Sequence, residues 1–80
     1  MTYMWKEQRG VMIFRFQTDE RKIAEKMRRR KKFVLDAQGL NCKLWIYIAT
    51  LYSPQKARGA LAQLTGRKVK KDSSKDIYYA

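Results

Sequence analysis

Two β-rich runs flank the turn signal QGLN in residues 32–52, KFVLDAQGLNCKLWIYIATLY, and this hairpin constrains the fold more than any other stretch. The other elements are read around it. VMIFRF (11–16) reads as a preceding strand, closed by Gln17 and Thr18. Thr18 is the expected N-cap of a helix running to about Arg30, with Asp19 and Glu20 in its first turn, where carboxylates favour the dipole. Ile23, Ala24 and Met27 give that helix a narrow apolar stripe.

After the hairpin, Ser53 and Pro54 supply the N-cap and first position of a second helix. Ala57, Ala60, Leu61 and Leu64 share its buried face, Gly59 lies on the solvent side, and Gly66 ends it. A polar connection, RKVKKDSSKD, leads to a short last strand, IYYA. The order β-α-β-β-α-β predicts an α+β protein: a single ferredoxin-like sandwich, with an antiparallel sheet and two helices on one face. Residues 11–80 form one small basic domain. Residues 1–10 are either a flexible lead or an extra edge strand from Tyr3 to Trp5.

Alternation then assigns the sheet's two sides. Arg15 cannot enter the core unpaired, so Met12, Phe14 and Phe16 should face the helices, leaving Val11, Ile13 and Arg15 outside. By aliphatic parity Cys42, Leu44, Ile46 and Ile48 point inward, and Lys43, Trp45, Tyr47 and Ala49 outward. Phe33 and Leu35 are inward, Val34 and Asp36 outward. The expected open face therefore carries Arg15, Lys43, Trp45 and Tyr47, with Tyr78 beside them.

Charge narrows the function. Nineteen Lys and Arg against seven Asp and Glu give a net charge of +12, with 11 cations in residues 1–40 and 8 in residues 41–80. So broad a field attracts nucleic acid, an anionic surface or an acidic protein. Its densest part is KMRRRKK, where Lys26, Arg28, Arg29, Arg30, Lys31 and Lys32 follow Lys22. Like charges three and four apart on a helix repel by tenths of a kcal/mol per pair, and only Glu25 is near enough to offset them. Stability alone would favour mixed signs. The expected phosphate contacts are this helix and the segment Arg67, Lys68, Lys70 and Lys71.

KLWIYIAT (43–50) resembles the third-strand motif of the RNA recognition motif family, a basic residue before two alternating aromatics. The resemblance implies nucleotide binding and stacking by Lys43, Trp45 and Tyr47. ARGALAQLTGRKV (57–69) is similar to that family's second helix and following turn, through Ala57, Ala60, Leu61, Leu64, Gly66 and Val69. Together these imply an RNA- or DNA-binding module with base stacking on the open face.

The same apolar open face also suits a homodimer, or cover by residues 1–5. A second class of function is a small protein-binding regulator or inhibitor, of viral or mobile-element type, docking on an acidic protein or nucleoprotein complex. Enzymatic chemistry has little support. The chain has no histidine, and its single cysteine, Cys42, has core parity. Asp19 and Glu20 would serve a metal-dependent nuclease, but a helix start already accounts for them. No catalytic residue, metal site or cofactor is expected. The longest apolar run, LWIYIATLY, is too short to span a bilayer, and MTYMWKEQRG carries no secretory signal, so no membrane partner and an intracellular setting are expected.

Overall fold

The computed structural model describes residues 1–7, 12–39, 43–72 and 74–80. Among the described residues six strands and two helices follow one another. They are β1 (Thr2–Lys6), β2 (Ile13–Thr18), α1 (Arg21–Arg28), β3 (Phe33–Gln38), β4 (Trp45–Thr50), α2 (Pro54–Thr65), β5 (Lys70–Lys71) and β6 (Ile77–Tyr79). All six strands join one sheet in the order β3-β4-β2-β1-β6-β5, with every neighbouring pair antiparallel. The class is α+β, with two strands more than the four expected.

The extra strands lie at one side of the sheet. β1 is neither a flexible lead nor an edge strand: it sits between β2 and β6 and pairs along both sides. Thr2 anchors it. Its side chain is fully buried against the hydroxyl of Thr18 at 2.9 Å, and its backbone exchanges two 2.9 Å hydrogen bonds with Ala80. β5 is a two-residue edge strand within the segment read as a polar connection.

One face of the sheet meets both helices. Met4, Phe14, Phe16, Phe33, Tyr47 and Ala49 are buried there together with Ile23, Ala24, Met27, Ala57, Ala60, Leu61 and Leu64. The helices run antiparallel: Glu20 before α1 meets Arg67 after α2, while Lys32 after α1 meets Tyr52 just before α2. α2 has the ends its sequence indicates. Ser53 Oγ accepts from the Lys56 amide at 3.2 Å, Pro54 opens the first turn, and Gly66 takes the left-handed conformation, φ 64°. A β-carbon at Gly66 would be strained by roughly 1–2 kcal/mol.

α1 departs from its expected start. The N-cap position is Glu20, without a side-chain cap, and Asp19 and Glu20 precede the helix rather than filling its first turn. Thr18 is buried, and its hydroxyl accepts from the Glu20 amide at 3.1 Å while bonding Thr2, so a partner from β1 holds it in the turn. The helix ends at Arg28, two residues short of the expected limit.

The larger correction concerns β4. Its pairing places Trp45, Tyr47 and Ala49 on the helix side, opposite Thr18, Phe16 and Phe14, and turns Ile46 and Ile48 to the open face. Ala49 is fully buried, and its small side chain makes room for Phe14 on one side and Phe33 on the other. Tyr47 is also buried. Parity failed as a guide here because the other side is not polar. Ile13, Ile46, Ile48 and Val34 occupy it, so aliphatic residues alone did not mark the core.

Smaller differences follow. Leu44, expected inside, is 37% exposed ahead of β4. Leu35 pairs with Tyr47 on the helix side but is 45% exposed. Tyr78 pairs with Met4 and packs on the core, so Tyr79 rather than Tyr78 reaches the open face. The expected places of Val11 and Cys42 lie outside the described residues. Among the described residues no helix is long and apolar enough to cross a membrane.

Candidate nucleic-acid interface

The carboxylates decide which cations are available. All seven Asp and Glu are described residues, and their ion pairs fall on few partners. Arg15 takes two: its Nε donates to Glu7 at 2.7 Å, its Nη2 to Glu7 at 3.0 Å, and its Nη1 to Asp36 at 2.9 Å. Arg67 donates with both terminal nitrogens to Glu20, Nη1 at 2.8 Å. That forked pair holds the Glu20 carboxyl well below its ordinary range, at about 2. Arg21 meets Glu25 at 3.9 Å and Lys71 meets Asp76 at 3.7 Å. Asp72 instead accepts from the Ser74 amide and hydroxyl, which lowers its pKa.

No cation of residues 26–32 has a carboxylate within 4.0 Å among the described residues. Helical geometry spreads these side chains around α1. At 100° per residue, Ile23, Met27 and Ala24 occupy the buried arc. Lys26 and Arg30 flank it on the α2 side, where Lys26 Nζ donates to the Leu64 carbonyl at 3.4 Å and Arg30 to Gln63 at 3.3 Å. Arg21 and Arg28 flank the other side, and Lys22 and Arg29 project outward. The last turn tolerates Lys26 and Arg28 because the carbonyl end of the helix is partly negative. That local benefit does not extend to Lys31 and Lys32 in the following turn.

Two aromatic features border this surface. At the end of α1, Tyr52 is 71% exposed, with Lys32 Nζ 4.1 Å from its ring centroid and Lys56 Nζ 5.0 Å away. Sequence reasoning missed both Tyr52 and Lys56. Their local signal is a tyrosine directly before an N-cap and a lysine in the first turn, but only the fold brings Lys32 to them. Such a ring offers a face for a base, with two ammonium groups placed for phosphates.

Along the outer flank of α1 runs a groove of about 730 Å³, lined in part by Arg21, Arg28, Leu35, Lys43, Trp45 and Tyr47. Trp45 and Tyr47 thus keep the company of Lys43, as the sequence suggests, but on the helix side instead of the open face. Arg15 is separated from them, on the other side of the sheet between its two carboxylates.

The remaining expected contacts form another patch. Lys68, Lys70 and Lys71 line a shallow groove with Arg58, which the sequence reading did not single out. Arg58 donates to the Tyr78 hydroxyl at 3.3 Å and lies 5.3 Å from its ring centroid. The expected set is therefore divided: residues 22–32 and 43–47 around α1, residues 68–71 beside α2, and Arg15 and Arg67 in ion pairs. No protein-family model, curated protein or solved structure matches the chain.

Proposed function

We propose that the chain is a small non-enzymatic nucleic-acid-binding module that contacts RNA or DNA phosphates through α1 and the turn after it. One observation carries this reading: the six cations of residues 26–32, set around the last turn of α1 and the turn after it, have no carboxylate partner among the described residues, while the chain's acids pair with Arg15, Arg21, Arg67 and Lys71. A solvated helix face selected for stability would mix signs. Tyr52 and the exposed part of Trp45 supply stacking surfaces at the end and flank of α1, Trp45 in a groove that Arg21, Arg28 and Lys43 share with Asp19 and Glu25. The antiparallel helix pair, with β4 seated between β2 and β3, supports a ferredoxin-like core enlarged by β1 and by the closing β5–β6 hairpin.

Binding is dominated by phosphate contact, so log affinity falls linearly with log salt, with a slope near −0.7 to −0.9 per phosphate neutralised. The test is titration of labelled single- and double-stranded RNA and DNA at several salt concentrations. Arg28→Glu and Arg29→Glu weaken binding to all sequences and flatten the salt slope. Absence of binding at low salt ends the reading.

A second reading rests on the β3 edge. Val34 is 66% and Leu35 45% exposed on this edge strand, close to Lys31 and Lys32, a combination suited to an acidic protein surface. Recovery of a partner after nuclease treatment distinguishes the two: a partner lost with the nucleic acid supports phosphate contact.

A further inference from the structure

The open sheet face differs in charge from the rest of the molecule. Strand pairing places Val34, Ile48, Arg15, Trp5 and Ile77 in one row across it, and Ala37, Ile46, Gln17, Tyr3, Tyr79 and Lys70 in the next. Tyr3 and Tyr79 lie with ring centroids 6.3 Å apart. Among the described residues, Arg15 and Lys70 are the only cations those rows hold, in a chain of net charge +12. Arg15 is moreover held between Glu7 and Asp36, which leaves its cluster at net −1. An apolar, nearly neutral face therefore lies opposite a cationic helix layer.

We infer that this face is where two copies of the chain associate, sheet to sheet about a two-fold axis. Charge selects the occupant. A polyanion or an acidic protein finds one guanidinium at the centre, already paired, whereas α1 and the turn after it offer six cations without a carboxylate partner on the other side. For two molecules of charge +12, by contrast, the neutral face is the side on which they can approach. Sheets pack about 10 Å apart and each helix layer lies roughly 10 Å beyond its sheet, so the cationic layers stand about 30 Å apart. That is several times the Debye length of about 8 Å at physiological salt, and their repulsion is screened.

Area sets the strength. Six strands spaced about 4.8 Å and about five residues long give a footprint of roughly 400 Å² before side-chain relief. Stable complexes bury about 800 Å² per partner, so a face of this size makes a weak, transient dimer. We expect it to form reversibly at high protein concentration. The inference does not require nucleic-acid binding, although a dimer would carry two outward α1 surfaces.

Sedimentation equilibrium of the nuclease-treated full chain, from micromolar to millimolar, tests it. We expect a reversible monomer–dimer equilibrium at physiological salt that weakens at low salt, where the Debye length grows to about 30 Å and the layers repel. Ile48→Glu should raise the dissociation constant roughly tenfold or more. Val34→Glu, at an exposed position that does not endanger folding, should raise it severalfold, and it decides the matter if Ile48→Glu unfolds. Arg28→Glu should leave dimerisation intact. A chain that stays monomeric to millimolar concentration at physiological salt overturns the inference. So does a dimer lost on Arg28→Glu but indifferent to both face variants. Loss of oligonucleotide binding on Trp5→Ala in a monomeric chain also overturns it, by giving the face to bases.

Discussion

The Nζ atom of Lys32 lies 4.1 Å from the centre of the Tyr52 ring, and the end of α1 thereby gains an aromatic surface that its own sequence lacks. Tyr52 is mostly exposed, so its truncation leaves the core untouched. On the proposed function, Tyr52→Ala weakens single-stranded oligonucleotide binding by about 1–3 kcal/mol, as loss of one stacked base does. Thermal unfolding moves little. Fluorescence anisotropy titration and a melting curve on the same sample check both halves.

The Glu20–Arg67 pair makes a pH prediction with a definite sign. The Glu20 carboxyl titrates near 2 when folded and near its ordinary 4.5 when unfolded. Between these values the unfolded chain binds more protons, so stability rises with pH there. The contribution is complete above about 4.5 and disappears as pH falls towards 2. Denaturant melts from pH 6 to pH 2 should show this loss, and Glu20→Gln should flatten it. An unchanged profile in Glu20→Gln removes the pair as its source.

Ala49 is fully buried, with Phe14 opposite it on β2 and Phe33 on β3. The rings of Phe16 and Phe33, 4.8 Å apart, occupy the same layer. Ala49→Leu should therefore destabilise the fold by about 1–3 kcal/mol through overpacking. Ile48→Leu, one residue away on the open face, should cost far less. Equilibrium urea unfolding separates the two.

Arg15 is engaged by Glu7 and Asp36, and Arg15→Met leaves these carboxylates without it. We expect a loss of about 1 kcal/mol in stability, of the size partly exposed ion pairs give. Oligonucleotide affinity at a given salt concentration should not change. A clear drop in affinity with stability intact would assign Arg15 to the binding surface.

Local signals were readable and non-local ones were not. The serine N-cap, the proline and the closing glycine of α2 act within a few residues, and each stands where the sequence places it. Thr18 failed as a cap because its hydroxyl is held by Thr2, sixteen residues away. The strand of Thr2–Lys6 was ambiguous because its pairing with β6 comes from the far end of the chain.

The candidate site was half legible for the same reason. The cation run and the grouping of Lys43, Trp45 and Tyr47 are sequence features, and the latter do line one groove. Which face they occupy depended on an alternation that loses meaning when both faces are apolar. Tyr52, Lys56 and Arg58 gain their significance from Lys32 and Tyr78, at least twenty residues away from Tyr52 and Arg58. No spacing rule reaches that far.

The position of β1 has a consequence for synthesis. Tyr3 must pair with Tyr79, so the sheet cannot be finished while the later residue is still inside the ribosome. Until Ile77–Tyr79 emerge, β1 has β2 on one flank and a bare ladder of amides and carbonyls on the other, beside Trp5 and Tyr3. Nascent chains translated close together meet in that interval with their most adhesive edge uncovered. Folding yield should therefore depend on how fast the final hairpin arrives.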